Sequence, residues 1–284
     1  MGHLLVTGAG GGLGAAVCGL LAASGETVFA SDADVEGLRP LGGMPGIVPI
    51  RMDVTIPRDV QRARTKIASL TDGLDGIVCC AGIFRAGSLV EIDEAVMERS
   101  LDVNVLGAFR TIRTFFPLLA QRRGRVVLVG TEMTSCPMPF TGPYSVSKCA
   151  LQAFADTLRR ELMLLGMRVV VVQPGAMRTP LLAGAGAAVE AARGRTLFPA
   201  QLDLIGRMLP REWDRGMEPV DVARAVVKAL RTKRPRLAYR VGVNRLRAVL
   251  GMLPASWTDV LIGAFVRISP ARGASARPPA AARR

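Results

Sequence analysis

Short, uninterrupted apolar runs separated by helical patterns constrain the fold more than any other feature of this chain. The runs Val126–Val129 and Val169–Val172 consist wholly of apolar residues. A strand that is apolar at every position is buried on both faces, which is typical of a parallel sheet covered by helices. Strands alternate with helices along most of the chain, as they do in βαβ units. The sequence therefore predicts an α/β protein, with one doubly wound parallel sheet flanked by helices.

The predicted elements follow one another without an internal repeat. We expect strands at Leu4–Val6, Thr27–Ala30, Ile47–Met52, Ile77–Cys80, Val126–Val129, Val169–Val172 and Leu237–Val241. We expect helices at Leu13–Ala23, Val60–Leu70, Glu91–Leu119, Tyr144–Leu165 and Pro219–Ala229. The longest pattern is expected to stop near Pro117, because proline removes a backbone donor inside a helix.

Composition divides the chain into a domain and a different C-terminal part. Residues 1–243 are expected to form a single domain, in which residues 181–218 lose the strand–helix alternation and are interpreted as a lid over the substrate. Residues 244–268 form a basic amphipathic segment. Residues 269–284 are rich in Pro, Ala and Arg, a composition typical of a disordered tail.

Positive charge is concentrated towards the end of the chain. The formal net charge is +14, and residues 201–284 contribute +11 of it with 17 basic and 6 acidic groups. A solvated, arginine-rich surface and an anionic partner both agree with this excess. No zinc-finger, RRM or KH signature is present, so we expect no specific nucleic-acid partner. The segment Asn244–Ile268 could lie on an anionic membrane surface, or pack on the core or on a partner subunit.

Several other classes of protein are disfavoured. No apolar run reaches the roughly 18 residues that a membrane span needs. The first residues lack a basic region and a cleavage site, so we expect no signal peptide. The five cysteines show no metal-ligand spacing, and no other cluster does, so we expect no metal site. Buried thiols in a reducing, cytoplasmic compartment are the simplest interpretation.

A glycine-rich turn follows the first predicted strand and opens the first helix. Gly8 allows a tight turn, Gly12 lets the backbone approach a pyrophosphate, and Gly14 lets the helix pack close to the sheet. The helix N-terminus then offers unpaired N–H groups to phosphates. This turn predicts a dinucleotide site in a single-domain, Rossmann-type fold.

Several motifs in order resemble the short-chain dehydrogenase/reductase family, over residues 4–240. The turn matches the family's TGxxxGxG pattern, and Tyr144-Ser-Val-Ser-Lys148 matches its YxxxK pair. Asn104 and Pro174-Gly175 match further family positions. The stretch Arg236–Asn244 is similar to the C-terminal part of retinol and 17β-hydroxysteroid dehydrogenase-type members.

The resemblance implies which residues form the site. Asp53 and Val54 lie where the family contacts the adenine ring. The implied cofactor-binding set is Gly8, Gly12, Leu13, Gly14, Asp32, Asp53, Val54, Ala81, Gly82, Asn104, Tyr144, Lys148, Pro174, Gly175 and Thr179. The implied catalytic set is Tyr144, Lys148, Thr131 and Asn104, the last of which binds a proton-relay water in the family.

The end of the second strand favours NAD over NADP. Asp32 can accept hydrogen bonds from both ribose hydroxyls of NAD, and its charge repels a 2′-phosphate. No Arg or Lys stands at Ser31, Ala33 or Asp34. The alternative is that Asp32 only caps a turn.

Tyr144 and Lys148 form a chemically plausible pair. Their i, i+4 spacing puts both on one face of a helix. A tyrosine hydroxyl has a pKa near 10, and a nearby ammonium is expected to lower it, which makes a usable general acid/base for a carbonyl oxygen.

Two positions depart from the family pattern. Counting back thirteen residues from Tyr144, where the family has serine, gives Thr131, which keeps a hydroxyl. Thr134 and Ser135 are alternatives. Cys79-Cys80 stands where the family usually has two asparagines, so side-chain hydrogen bonding there is reduced.

The lid suggests a lipophilic substrate such as a steroid or retinoid, because it contains Leu181, Leu182, Leu197, Phe198, Leu202, Leu204, Ile205, Met208, Leu209 and Trp213. Core packing would also explain many of these residues. The leading hypothesis is an NAD-linked enzyme that interconverts a secondary alcohol and a ketone, or a primary alcohol and an aldehyde. An NADP-dependent carbonyl reductase and a non-catalytic dinucleotide-binding scaffold are the alternatives. The family implies a homodimer or homotetramer formed through the two long helices.

Overall fold

A seven-stranded sheet forms the centre of the computed structural model, which describes residues 2–181, 186, 189 and 196–267. The strands are β1 (His3–Thr7), β2 (Thr27–Asp32), β3 (Ile47–Arg51), β4 (Gly76–Cys79), β5 (Arg125–Val129), β6 (Arg168–Pro174) and β7 (Ala238–Val241). Their spatial order is β3-β2-β1-β4-β5-β6-β7, and every neighbouring pair is parallel. The predicted doubly wound parallel sheet is therefore confirmed.

Helices connect the strands and cover both faces of the sheet. They are α1 (Gly12–Ala22), α2 (Val35–Leu38), α3 (Pro57–Ala68), α4 (Glu94–Leu101), α5 (Gly107–Gln121), α6 (Gly142–Met163), α7 (Pro199–Arg215), α8 (Pro219–Arg231), α9 (Arg245–Leu250) and α10 (Ala255–Arg267). The short helix α2 was not predicted, although Asp34 caps it by accepting a hydrogen bond from the Glu36 amide.

Alternate residues of each strand enter two separate apolar cores. Leu5 of β1 packs in one core with Phe115 of α5, and the neighbouring Val6 packs in the other with Val17 of α1 and Val226 of α8. All five side chains are buried. Burial on both faces explains why runs such as Val126–Val129 are apolar at every position.

The long helical pattern differs from the expectation of one helix over Glu91–Leu119. Helix α4 begins at Glu94, a π-helical turn at Asp102–Leu106 follows, and α5 continues to Gln121. Pro117 lies inside α5 and does not end it. Proline has a helix-compatible φ, and within a well-packed helix the loss of one backbone hydrogen bond is tolerated.

The C-terminal part is helical as far as it is described. The segment Arg245–Arg267 is divided into α9 and α10, with the break at residues 251–254. Helix α7 occupies much of the predicted lid. Leu182 and the predicted tail, residues 269–284, lie outside the described residues. Among the helices that are described, none is long and apolar enough to cross a membrane.

Candidate active site

A cavity of about 560 Å³ lies at the carboxyl ends of the central strands. Its wall includes Gly8 after β1, Cys80 after β4, Gly130 after β5 and Gly175 after β6. Between β1 and β4 the strand order reverses, and ligands of open α/β sheets bind at such a switch point. The predicted site residues that line this cavity are Gly8, Gly12, Leu13, Gly14, Asp32, Asp53, Val54, Ala81, Gly82, Thr131, Tyr144, Lys148, Pro174, Gly175 and Thr179.

The glycine turn leaves space that side chains would fill. Gly8 has a φ of 69°, and a Cβ there would lie 2.6 Å from the Ala81 amide nitrogen. A Cβ on Gly14 would overlap the carbonyl oxygen of Gly8. The residue before α1 is Gly11, and no side chain caps that helix. A cradle of this kind with uncapped helical N–H groups fits a dinucleotide pyrophosphate.

Asp32, at the end of β2, is held by two backbone amides. Its Oδ2 atom accepts a hydrogen bond from the Gly10 amide (2.9 Å), and its Oδ1 atom accepts one from the Asp34 amide (3.0 Å). The residue therefore closes a turn, as the alternative interpretation expected, and it also lines the cavity. Each carboxylate oxygen has two lone pairs, so the group keeps acceptor capacity for ribose hydroxyls.

Asp53 and Val54 form the wall beyond Asp32. The Oδ1 atom of Asp53 accepts hydrogen bonds from the Thr55 amide (2.9 Å) and the Thr55 hydroxyl (2.7 Å). Val54 is buried, and its Cγ2 atom would lie 2.6 Å from a Cβ on Gly107. The carboxylate thus holds its own loop, while Val54 gives the cavity an apolar surface in that region.

The two cysteines at the end of β4 are neutral thiols. Cys79 belongs to the core, and Cys80 lines the cavity. Burial raises the pKa of each thiol to about 12. The Thr7 hydroxyl accepts a hydrogen bond from the Ala81 amide (3.3 Å). A threonine hydroxyl therefore helps to hold the strand end, where the family implies asparagine side chains.

Tyr144 and Lys148 lie in the first two turns of α6 and are both buried. The Lys148 Nζ atom donates a hydrogen bond to the Val129 carbonyl oxygen (2.8 Å) and lies 5.8 Å from the centroid of the Tyr144 ring. The Phe84 ring packs against the Tyr144 ring, with the two ring centroids 4.7 Å apart. Strand β5 and helix α6 therefore fix the pair from two sides.

The pKa values of this pair differ from the sequence-based expectation. Burial raises the pKa of Tyr144 to about 12, and an interaction with the Thr131 side chain opposes that rise. Burial lowers the pKa of Lys148 to about 8. The pKa of Tyr144 is therefore raised where the sequence predicted a lowered value, because the loss of water around the buried phenol outweighs the effect that lowers it.

Thr131 follows β5 and lines the cavity, whereas the alternatives Thr134 and Ser135 do not. Its Oγ1 atom accepts a hydrogen bond from the Met133 amide (3.4 Å) at the start of a short 3₁₀ turn, Glu132–Thr134. The Thr134 hydroxyl donates to the Thr131 carbonyl (3.1 Å), and the Ser135 hydroxyl donates to the Glu132 carbonyl (2.9 Å). The alternative hydroxyls are thus used within their own loop.

Asn104 lies in the π-helical turn and does not line the cavity. Its Oδ1 atom accepts from the Ile83 amide (2.8 Å), and its Nδ2 atom donates to the Ile83 carbonyl (3.0 Å) and to the Ser147 hydroxyl (2.9 Å). The side chain therefore joins the segment after β4 to α6. A π-helical turn changes the direction of neighbouring side chains, and such turns are frequent at functional sites.

The other end of the cavity is mainly apolar. Its lining includes Phe84, Met138, Phe140, Met177, Leu181, Leu204, Ile205, Met208, Phe265 and Val266. Of the remaining lid residues, Leu197 is exposed, Leu202 is buried away from the lining, and the Phe198 ring packs 5.3 Å from that of Phe140. Leu182 and the side chains of Leu209 and Trp213 lie outside the described part of the chain.

Five charged residues that were not predicted also line the cavity, and two of them are Arg85 and Arg99. The other three form a network. They are Glu132, Glu212 and Arg247, and Arg247 forms ion pairs with both carboxylates. Glu132 is adjacent to Thr131, but its partners come from distant parts of the sequence. No spacing rule connects such residues, so a single sequence offers no signal for them.

A glycine turn at a switch point, with a tyrosine and a lysine on the helix beyond it, defines a dinucleotide-binding α/β protein. The model of the short chain dehydrogenase family matches residues 2–190. The chain therefore belongs to this family, as its motifs predicted.

Two curated relatives are similar over part of the chain. The 3-amino-tetrahydro-pyrrolizinone reductase of Xenorhabdus hominickii is 33% identical over 180 residues, which are 63% of this chain and 62% of that protein. Estradiol 17-beta-dehydrogenase 2 of Mus musculus is 32% identical over 192 residues, covering 62% of this chain and 48% of that protein. The match thus spans less than two thirds of the length of either relative.

Two crystal structures share the fold almost completely. A short-chain dehydrogenase from Streptomyces avermitilis has a TM-score of 0.77 at 24% identity, covering 94% of this chain and 97% of that one. A short-chain dehydrogenase/reductase from Burkholderia phymatum, in complex with NAD, has a TM-score of 0.76 at 22% identity, covering 92% and 95%. At these identities the likeness shows the fold alone.

Proposed function

We propose that this protein is an NAD-linked oxidoreductase that interconverts a lipophilic alcohol and its ketone or aldehyde. The observation that supports it most directly is the meeting of Thr131, Tyr144 and Lys148 at one cavity wall, beside the glycine turn. A scaffold without catalysis would have no need of a buried tyrosine and a buried lysine side by side, because burying a charge is costly.

In this proposal Tyr144 moves the proton and the other two side chains support it. A bound nicotinamide supplies or accepts the hydride. For reduction, the Tyr144 hydroxyl donates its proton to the substrate oxygen, and for oxidation the phenolate accepts the alcohol proton. The Thr131 hydroxyl orients the same oxygen. Lys148, held by the Val129 carbonyl, supplies positive charge that favours the phenolate during the reaction.

The cofactor site fits NAD better than NADP. The Asp32 carboxylate lies at the cavity wall, and its oxygens keep acceptor capacity beyond their bonds to the Gly10 and Asp34 amides. A 2′-phosphate would meet this negative charge. The proposed cofactor-binding residues are those named from the sequence. Asn104 contributes indirectly, because its side chain does not line the cavity.

The substrate is proposed to be lipophilic, of steroid or retinoid type. The walls beyond Tyr144 are aromatic and aliphatic, with Phe84, Phe140 and Phe265 among them. Binding an apolar substrate to such a surface is favourable, by about 25 cal/mol for each Å² of apolar area removed from water. The mouse relative named above is an estradiol dehydrogenase, which supports the same class.

A turnover assay on secondary alcohols and ketones tests the proposed activity, with NAD(H) and NADP(H) in parallel. Tyr144→Phe should lower kcat by at least about 100-fold, because a positioned acid/base contributes 10²–10⁴-fold. Tyr239→Phe is the matched control, since Tyr239 is the other tyrosine of the sequence and lies on β7. The kcat of Tyr239→Phe should stay close to that of wild type.

Three results would count against the proposed activity. Unchanged turnover in Tyr144→Phe would refute the mechanism. Cofactor binding without turnover on a broad panel would favour a scaffold. Faster turnover with NADPH than with NADH would favour the carbonyl reductase alternative.

We also propose that two copies associate through the long helices. Leu106, Phe109 and Val146 are more than 40% exposed on the π-helical turn, α5 and α6. Apolar residues exposed together on a face mark contact sites. A chain that sediments as a monomer at all concentrations would contradict this proposal.

We further propose a cytoplasmic enzyme that contacts an anionic membrane surface through α9 and α10. All five cysteines are free, as is usual in a reducing compartment. Met252, Trp257 and Val260 are at least 65% exposed, and residues 245–267 carry three basic groups and one acidic group. Apolar side chains beside basic ones suit a surface of anionic lipid, such as the cytoplasmic leaflet.

A further inference from the structure

The geometry points to Arg247 as a positioning residue for the proposed reaction. It joins Glu132 to Glu212 of α7, and these three residues are called the ion bridge below. Glu132 lies in the loop that follows β5, residues 130–136, which is called the catalytic loop. The helices α7, α9 and α10 are called the substrate wall, because α7 and α10 contribute apolar lining residues to the cavity and α9 contributes Arg247. The inference rests on the proposed function, which gives the substrate wall its substrate.

The ion bridge connects three segments that are distant in sequence. The Arg247 Nη1 atom lies 2.8 Å from Glu132 Oε1, and its Nη2 atom lies 3.3 Å from Glu212 Oε1. Glu132 belongs to the loop after β5, Glu212 to α7 and Arg247 to α9. One guanidinium therefore fixes the relative positions of the loop and two helices of the substrate wall.

The ion bridge is shielded from water, so its ion pairs are not ordinary surface contacts. The side chain of Glu132 is 6% exposed, that of Arg247 18% and that of Glu212 29%. Ion pairs on a surface contribute little because water and salt screen them. A buried carboxylate that loses its cation is left uncompensated, which is strongly unfavourable. Arg247 is therefore required once Glu132 is buried here.

The backbone provides independent evidence that α9 is docked on the catalytic loop. The Asn244 amide donates a hydrogen bond to Glu132 Oε2, and the Asn244 side chain caps α9 by accepting from the Leu246 amide (2.9 Å). At the other end of α9, a Cβ on Gly251 would lie 2.7 Å from the Ser135 carbonyl oxygen. Both ends of α9 thus contact the segment that begins with Thr131.

Position along the chain explains how the ion bridge can affect catalysis. Glu132 is bonded directly to Thr131, and Thr131 caps the turn in which Glu132 lies. The same turn places the Thr131 hydroxyl at the cavity, near Tyr144. Arg247 lines the same cavity, but its guanidinium is bound by the two carboxylates, so we assign it to holding the substrate wall and not to the reacting atoms. It acts by keeping the substrate wall in register with the hydroxyl that orients that oxygen.

An arginine is needed at this position because two carboxylates must be bound at once. The guanidinium is a rigid, planar group with several donors in a fork, whereas a lysine ammonium is a single point charge on a flexible stem. Lysine at position 247 would keep the charge and could satisfy one carboxylate well, but not both. The Arg247→Lys variant should therefore fall between wild type and a neutral variant.

The test compares Arg247→Met with Arg245→Met. Arg245 lies on the same helix and is exposed, so both variants lose one positive charge. For Arg247→Met we expect kcat/KM for the alcohol or carbonyl substrate to fall about 10- to 100-fold, because a small misplacement of a reacting group lowers the rate by about this much. The dinucleotide Kd, measured by titration, should change less than about twofold, and Arg245→Met should resemble wild type in both measurements.

Hydrogen–deuterium exchange gives a second measurement that does not need turnover. In Arg247→Met, amides of residues 131–136 and 244–267 should exchange faster, while those of β1 and β2 stay unchanged. If Arg247→Met does not fold, Glu212→Ala replaces it, because it removes only the contact to α7. Its KM should rise with kcat nearly unchanged.

Several outcomes would overturn the inference. They are unchanged exchange in residues 131–136 and 244–267, equal effects of Arg247→Met and Arg245→Met, a parallel loss of dinucleotide affinity, or no rescue by Arg247→Lys. If no substrate is turned over by wild type, the proposed function fails, and the exchange result alone decides about the ion bridge.

Discussion

At the scale of single residues, the proposed preference for NAD depends on Asp32. Asp32→Ser should lower kcat/KM with NAD about 10- to 100-fold and improve the use of NADP, because a hydrogen bond to a charged group contributes about 1.5–3 kcal/mol. Steady-state kinetics with both nucleotides measures the change in preference. Asp34→Ser is the control, since Asp34 caps α2 and does not line the cavity. An equal shift in both variants would contradict the assignment.

The two buried titratable groups predict the pH dependence of carbonyl reduction. In the proposed mechanism, reduction needs the proton of Tyr144, whose pKa is raised to about 12, and the charge of Lys148, whose pKa is lowered to about 8. Both groups are protonated below pH 8, so kcat/KM should be flat there. Above that pH, Lys148 loses its proton while Tyr144 keeps its own, and kcat/KM should fall.

Initial rates from pH 6 to pH 10, with folding checked by circular dichroism at each pH, measure this profile. The kcat/KM profile reports groups of the free enzyme, which are the ones described here. A descending limb well below pH 7, or none up to pH 10, would contradict the role given to Lys148.

At the scale of elements, two glycines of α1 should respond oppositely to alanine. A Cβ on Gly14 would overlap the backbone of the Gly8 turn, so Gly14→Ala should lower the free energy of unfolding by about 1–3 kcal/mol and weaken dinucleotide binding. At Gly19 the nearest atom to a Cβ would be Met44 Cε at 3.9 Å, so Gly19→Ala should stabilise α1 by up to about 1 kcal/mol.

Urea unfolding of both variants measures these changes. Because the two substitutions are identical and lie on one helix, helix propensity affects them equally. A similar free energy of unfolding in both would show that the close approach of α1 to the glycine turn is unimportant.

Elements with a local signal were predictable, and those fixed by distant contacts were not. The strands were found because burial on both faces makes runs such as Val169–Val172 wholly apolar, and the family assignment followed from spacings such as that of Tyr144 and Lys148. The π-helical turn at Asn104 has no comparable signal, because it depends on packing against Ile83 and Ser147. The predicted direction of the Tyr144 pKa shift was wrong, because the spacing of Tyr144 and Lys148 does not show how deeply the phenol is buried.

The roles of the site residues stay predictions, although the fold brings almost all of them to one cavity. Thr131 could be counted from Tyr144, so sequence was sufficient to suggest it. The ion bridge could not be found in this way, because Glu132 and Arg247 are 115 residues apart.

At the scale of the whole molecule, the face formed by α9 and α10 should bind anionic lipid. The chain should sediment with vesicles that contain phosphatidylserine, less so as salt is raised, and not with vesicles of phosphatidylcholine alone. Trp257→Gln should weaken this binding about tenfold, since burying a large apolar side chain contributes about 1.5–3 kcal/mol. Leu164→Gln is the control, because Leu164 is 80% exposed just beyond α6.

Two results would contradict membrane contact. Equal binding to both kinds of vesicle would exclude an electrostatic contribution. A concentration-dependent dimer that Trp257→Gln abolishes, without any vesicle binding, would show that a second copy of the chain covers this face.

The distance along the chain between Glu132 and Arg247 also sets an order of events during synthesis. The ribosome releases β5, its loop and the whole sheet before it adds α9. Until then Glu132 has neither the Asn244 amide nor the Arg247 guanidinium as a partner. The catalytic loop is therefore completed only after β7 has been synthesised, and a chain released just after β7 would lack both of these partners for Glu132.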